Sequence, residues 1–311
     1  MEPVAKPSIT AIILTFNEEL HIARCIERLW PLVERIVVVD SFSTDRTVEI
    51  ARDLGAEVLQ RPFVNQADQF QWALDTVAVT SAWTIRLDAD EYCEPELIAT
   101  LHARLPQLPD TVQGVVLRRK MIFRGRWIRH GTYYPVYLLR VWRTGSAYVE
   151  QRWMDEHIRL RHGDSVTITD GDFVDENLGT IGDWTAKHNN YATRHMVDFV
   201  GRSIGVIAAE PRPTERRARW KRVLREDVFG GAPLYLRSVL YFIYRYFFRL
   251  GFLDGRTGFV WHFMHGFWLF MLIDAKIDEA QRQIAQHGRE SFLPWLKDRY
   301  NMVISDDRLI R

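Results

Sequence analysis

The sequence predicts an α/β fold, a mixed sheet with crossover helices followed by a helical, aromatic-rich C-terminal extension. Three observations carry that expectation. From Ile9 to about Leu117, short apolar runs alternate with helical periods, the pattern of strands joined by crossover helices. Three of those runs end in polar clusters: Thr15-Phe16-Asn17-Glu18, Asp40-Ser41-Phe42-Ser43 and Asp88-Ala89-Asp90. After Pro109 the strands become aromatic and more antiparallel in character, and beyond Asp183 the chain turns helical.

Taken in order, Ile9 to Leu14 reads as a buried strand. Glu19 to Leu29 follows as a helix with Leu20, Ala23, Ile26 and Leu29 on one face, ended by Pro31. Arg35 to Asp40 is the second strand. A helix opens at Thr44 to Ile50, with Ser43 or Thr44 as N-cap, and stops before Gly55; Ala56 to Leu59 gives a short third strand. A helix from Gln66 to Val77 leads into the strand Trp83 to Asp88. Gly114 to Arg119, Tyr133 to Trp142 and Val166 to Thr169 are the later strands.

The 311 residues are 47% hydrophobic and 26% charged, enough for a substantial core in one large or two smaller domains. A formal net charge of +1 gives no global footprint for nucleic acid, so a basic partner surface must be local. Cys25 and Cys93 have no partner at metal-ligand spacing, which suits a reduced cytosolic setting. Met1 to Pro7 is polar, and the apolar run Ile9 to Leu14 is too short for the core of an export signal.

Asp-x-Asp alone is a weak signal, since such a triplet at a strand end often marks a solvated turn. Its meaning comes from position. In an open α/β sheet, ligands gather at the carboxyl ends of the strands, where Asp40 can accept from an imide N–H and Asn17 or Glu18 can reach ribose or base edges. Alternate residues of an extended segment point the same way, so Asp88 and Asp90 can address one hard cation carrying phosphates.

The runs Ile12 to Glu18, Val37 to Thr47 and Leu87 to Glu91 together resemble the family 2 glycosyltransferases of the GT-A fold, over roughly the first hundred residues. That resemblance implies a GT-A-like, Rossmann-like nucleotide-binding sheet, a nucleotide-diphosphate sugar donor, a divalent Mn²⁺ or Mg²⁺ and an inverting transfer. By the same resemblance Thr15, Asn17, Glu18, Asp40 and Ser43 fall on the nucleotide-sugar side. Asp88 matches the ribose or diphosphate contact and a possible second metal ligand, Asp90 the metal ligand. Many relatives carry a cation followed by Asn in the helix after the third strand; Gln69-Phe70-Gln71 departs from that.

Inverting transfer needs a carboxylate to deprotonate the acceptor hydroxyl. The family often places it in an acidic pair well after the metal motif, which here is Asp155 and Glu156; the bland reading pairs them with Arg152 or Arg159. Asp170, Asp172 and Asp175 are second choices. His157 or His188 would complete a metal or diphosphate site, or else serve structure. Arg118 to Lys120 and Arg124 to Gly131 mix cations and aromatics, fit for a phosphate-bearing acceptor or a solvated face.

Glu215 to Arg225 concentrates Arg216, Arg217, Arg219, Lys221, Arg222 and Arg225. The aromatic stretches Leu234 to Leu250 and Gly258 to Ile273 follow, the first interrupted by Arg237, Arg245 and Arg249, the second by His262 and His265. Spanning a bilayer takes about 20 apolar residues, so in-plane interfacial helices or an oligomer interface are expected instead. Such tails resemble those of bacterial envelope-polysaccharide and lipopolysaccharide-core glycosyltransferases. The expected layout is a glycosyltransferase domain over 1–200, its donor part about 8–110 and acceptor part about 111–200, then a basic, aromatic extension over 201–311. The expected acceptor is an envelope glycolipid or polyprenyl-linked oligosaccharide at the cytoplasmic face of the inner membrane. Homo-oligomerisation remains open, and nucleic acid is not expected. A sugar nucleotidyltransferase is the rival enzyme, though the loop after the first strand lacks glycine. An inactive scaffold of the same fold is the non-enzymatic rival.

Overall fold

The computed structural model describes residues 7–150, 157–207, 233–302 and 304. The chain divides into two units, residues 1–180 with 253–258, and residues 181–252 with 259–311.

The first unit is organised by β1 (Ile9–Thr15), β2 (Arg35–Asp40), β3 (Glu57–Gln60) and β4 (Trp83–Asp88). These pair in parallel in the order β3-β2-β1-β4. The Ile- and Val-rich sequences of β1 and β2 suit burial on both faces, the usual state of central parallel strands, while β3 at the edge of the sheet is only partly buried. Ile9, Ala11, Ile13, Val38, Ile85 and Leu87 pack with α1 (Ile22–Leu29) and α4 (Pro95–Arg104), while α2 (Thr47–Asp53) buries Ala51 in the same core. On the other face, Ile12, Val37 and Val39 pack with Ala67, Phe70 and Ala73 of α3 (Gln66–Thr76). Asn65 caps α3 by accepting from the Asp68 amide at 2.9 Å.

The sheet continues through β8 (Val136–Arg143), antiparallel to β4, and then β6 (Val112–Phe123), β12 (Phe173–Glu176) and β5 (Glu91–Cys93). Two further strands, β7 (Arg126–Trp127) and β11 (Asp164–Thr167), pair with β6. A separate ribbon joins β9 (Ala147–Val149) and β10 (Ile158–Leu160). Trp142 of β8 meets Phe70 edge to face at 6.1 Å, locking α3 against the sheet.

The second unit contains α5 (Ile181–Ser203), α6 (Leu236–Ile243) followed by a π turn over Tyr244–Phe248, and, from residue 259 on, α7 (Gly255–Phe263), whose first turn belongs to the first unit. After a second π turn come α8 (Leu269–His287) and α9 (Phe292–Tyr300). Among the described residues no helix is long and apolar enough to cross a membrane.

Sequence and structure differ at boundaries and in the short strands. The first helix begins at Ile22 rather than Glu19, because the Glu18 carbonyl accepts from the amides of both His21 and Ile22 in a turn. The strand expected from Tyr133 begins at Val136, after a cis Tyr134-Pro135 bond. β5 and β12 carry no alternation long enough to be seen in sequence.

Two glycines distinguish backbone strain from crowding. Gly171 has φ +87°, and a Cβ there would lie 2.3 Å from the Leu97 amide nitrogen; Gly125 has φ +72° with open space around it. Gly171→Ala should therefore cost about 3 kcal/mol or more, and Gly125→Ala about 1 kcal/mol, in urea unfolding. Equal losses at the two positions would remove the packing argument.

Candidate functional site

Register assembles the site. Thr15 lies opposite Asp40, and Leu14 opposite Asp88, so the loops after β1, β2 and β4 leave the sheet at one edge. Asp40 is fully buried. Its Oδ1 accepts from the hydroxyls of Thr15 (3.0 Å) and Ser43, and its Oδ2 from the Ser43 amide (2.9 Å) and Gln60 Nε2 (3.0 Å). Asn17, at φ +54°, donates its amide to Ser43 Oγ and accepts the Thr44 amide on Oδ1, each at 2.8 Å. The Glu18 amide reaches Thr47 Oγ1 at 2.7 Å. Thr15, Asn17, Glu18, Asp40 and Ser43 thus form one laced pair of loops.

The acidic triplet rests on buried charge. Glu91, 2% exposed, accepts from the Asp88 amide at 2.9 Å and from Arg140 Nη2 at 2.5 Å. Burial pushes its carboxyl up, and the Arg140 guanidinium beside it opposes the rise. Asp88 lies between Arg86, at 3.3 Å, and Arg140, at 3.8 Å. Arg86 in turn lies over the Phe70 ring, 4.8 Å from its centroid. The departure at Gln69-Phe70-Gln71 acquires a physical meaning here. Gln69 is buried and braces the β2 loop through the Val39 carbonyl and Ser41 Oγ, Phe70 supports Arg86, and Gln71 accepts the Val149 amide. The cation beside Asp88 comes from the strand itself.

Asp90 is half-buried and accepts from Asn177 Nδ2 at 3.3 Å, while its carbonyl accepts from Arg24 Nη2. Arg24 also bonds the Glu176 carboxylate at 2.8 Å and its carbonyl at 2.5 Å. Three residues earlier on the chain, His21 donates Nδ1–H to Glu18 Oε2 at 2.6 Å and accepts the Leu178 amide on Nε2 at 2.8 Å. The accepting Nε2 fixes that tautomer. His21 and Arg24 therefore strap residues 176–178 onto the β1 loop and the triplet. Sequence reasoning missed Arg24, His21, Arg140, Glu91 and Asn177 as site residues, since their partners lie up to 157 positions away.

Among the described residues, no group of three or more His, Cys, Asp or Glu side chains could hold a metal. The hard oxygens of Asp90 and Asp88 still fit Mg²⁺ or Mn²⁺, ions of the kind bound through one or two carboxylates with phosphate and water completing the shell.

The remaining sequence candidates fall elsewhere. Asp155, Glu156, Arg216, Arg217, Arg219, Lys221 and Arg222 lie outside the described residues. His157 faces Glu150 at 3.4 Å. His188 is buried in the second unit, stacked on Trp184 at 3.5 Å and bonded through Nδ1 to the Trp184 carbonyl. Of the second-choice carboxylates, Asp172 bonds Arg118 and Tyr134, Asp175 pairs with Arg119 at 3.3 Å, and Asp170 is exposed.

Removing one partner of a buried pair strands the other's charge. Glu91→Ala should cost about 3–5 kcal/mol, and the joint change Glu91→Leu with Arg140→Met should recover most of it in urea unfolding. If the joint variant is no better than the single one, the pair is not the support described. His188 gives a pH dependence: burial lowers its pKa from 6.5 to about 4. The unfolded chain binds the extra proton first, so this stability is present above about pH 6.5 and lost as pH falls toward about 4. His188→Gln should flatten the unfolding free energy across that window, measured against the parent chain.

The family model described as glycosyl transferase family 2 matches residues 10–173. A Rickettsia felis protein described as an uncharacterized glycosyltransferase is 42% identical over 89 residues, 29% of this chain and 31% of that protein. The lipopolysaccharide core biosynthesis glycosyltransferase LpsC of Rhizobium meliloti is 33% identical over 121 residues, 37% of this chain and 44% of LpsC. A glucosyl-3-phosphoglycerate synthase from Mycobacterium tuberculosis, crystallised with Mn²⁺, uridine diphosphate and glucosyl-3-phosphoglycerate, is 25% identical at a TM-score of 0.30, over 38% of this chain and 45% of that one. The chain thus spans under half the length of each of these relatives. The family match covers more than half of the chain, from β1 through the start of β12 and across all three strand-end motifs, and on that ground the chain belongs to glycosyl transferase family 2.

Proposed function

We propose that this chain transfers a sugar, with inversion, from a nucleotide-diphosphate donor to a hydroxyl of an envelope glycolipid or lipid-linked oligosaccharide. The observation that carries the reading is the convergence of Asn17, Asp40 and Asp88-Ala89-Asp90 at one sheet edge in a member of this family. Kinship with LpsC supports the choice of acceptor. In this reading residues about 8–110 serve the donor and about 111–200 the acceptor, and the reaction takes place at the cytoplasmic face of the membrane.

The laced β1 and β2 loops hold the nucleoside, with Asp40 presenting carboxylate oxygens to a base N–H. Asp90, with Asp88 beside it, would hold Mg²⁺ or Mn²⁺, which supplies positive charge to the departing diphosphate. Arg86 and Arg140 flank the Asp88 carboxylate and hold it in place. A carboxylate, for which Asp155 or Glu156 is proposed, takes the proton of the acceptor hydroxyl. The acceptor oxygen bonds to the anomeric carbon as the bond from that carbon to the diphosphate oxygen breaks on the opposite face, and the electron pair leaves with the nucleotide diphosphate.

The test is a thermal-shift screen of UDP-, GDP- and dTDP-sugars with Mn²⁺, followed by turnover. A ligand at 100 times its Kd should stabilise the protein by about 2.7 kcal/mol. Asp90→Ala should abolish the Mn²⁺-dependent part and lower transfer by about 100-fold or more. Absence of any metal-dependent donor shift, together with unchanged behaviour of Asp90→Ala, would falsify the reading; pyrophosphate release from a nucleoside triphosphate would indicate a nucleotidyltransferase.

A further inference from the structure

The second unit carries an apolar ridge that its own core does not use. α6 and the turn after it expose Leu236, Leu240, Phe247, Phe248, Leu250 and Phe252. Phe248 is 74% exposed and Phe247 54%, at the tip of the π turn. Spacing at 236, 240, 244 and 247 keeps the helical part of the ridge on one face. Single exposed apolar residues are ordinary, but a contiguous run of this kind marks a contact surface.

Charge identifies what it contacts. From Pro233 to Ile273 the only carboxylate is Asp254, and it is buried, accepting from the amides of Arg129 and His130. Arg237 is paired with Asp274, and Arg245 donates to the Tyr241 hydroxyl. Arg249 is different: it is exposed in the middle of Phe247-Phe248-Arg249-Leu250-Gly251-Phe252, and among the described residues it has no ion pair or side-chain hydrogen bond. A second copy of the chain docking by the same stretch would offer Arg249 no exposed carboxylate from residues 233–273, since Asp254 is the one carboxylate there and is buried. An anionic lipid surface supplies both the acyl boundary the phenylalanines need and the phosphates an exposed arginine needs. The six cations between Arg216 and Arg225 enter the sequence just upstream, with the same preference.

We propose that the ridge after α6 is a monotopic membrane anchor: Phe247, Phe248, Leu250 and Phe252 enter the headgroup and acyl boundary, and Arg249 binds anionic lipid phosphate. This deepens the localisation in the functional reading above, and vesicle binding needs neither donor nor turnover, so the two fail independently.

The full-length chain is sedimented with vesicles of phosphatidylcholine alone or with roughly one third phosphatidylglycerol. Binding should be about tenfold or more stronger with phosphatidylglycerol. Phe247→Ser with Phe248→Ser should lower partitioning on the mixed vesicles by about tenfold or more, and Phe248→Ser alone by a smaller factor with an unchanged Tm. Arg249→Gln should reduce the preference for phosphatidylglycerol while leaving residual apolar binding. Wild-type protein that ignores anionic vesicles overturns the proposal, as does a well-folded Phe248→Ser variant that partitions like wild type. Light scattering that finds a lipid-independent dimer, split by the same substitution, overturns it in favour of a protein interface.

Discussion

Parallel pairing of β1 with both β2 and β4 is the constraint on which the site depends. One register places Thr15 beside Asp40 and Leu14 beside Asp88. A one-residue slip would turn Asp40 and Asp88 to the other face and break the core as well, because alternate residues of these strands serve opposite layers. Packing energy and chemistry are thereby tied to the same alignment. The apolar residues that hold the strands in place are also the ones that decide which loops meet.

The triplet itself is held from beneath. Glu91 bonds the Asp88 amide and Arg140, and Arg140 and Arg86 flank the Asp88 carboxylate. This arrangement fixes the acidic turn by charge-assisted bonds in a low-dielectric surrounding, where such bonds are strong and their loss is costly. From the side, His21 and Arg24 tie residues 176–178 to the same turn. The loop edge of the sheet and the last strand of the first unit are one mechanical assembly.

Much of the parallel half of the sheet was legible in the sequence. β1 and β2 are apolar runs rich in Ile and Val bounded by polar loops, and period and composition suffice for them. The strand-end motifs identify the edge because ligand residues cluster where strands stop. What the sequence did not disclose are supports made by long-range pairing: Glu91 with Arg140, Arg24 with Glu176, His21 with Leu178. A lone Glu after Asp-Ala-Asp, or an Arg on a helix, carries no local mark of a partner fifty to a hundred and fifty positions away. The short strands β5 and β12 escaped for a related reason, since their conformation comes from neighbours rather than from their own residues.

Asp40 sets a rule for any ligand that reaches it. A carboxylate offers about four lone-pair positions, and its two oxygens here already take four donors, from Thr15, Ser43 twice and Gln60. An incoming N–H cannot simply add a bond; it must displace an internal donor, which then needs a new acceptor on the ligand. Recognition becomes an exchange, with little net gain from the contact itself and a penalty of about 1–3 kcal/mol when the released donor finds no match. A ligand that left an internal donor unmet would be disfavoured at this edge, and its affinity would have to come from surfaces such as the exposed rings of Phe16 and Phe42 beside the loops.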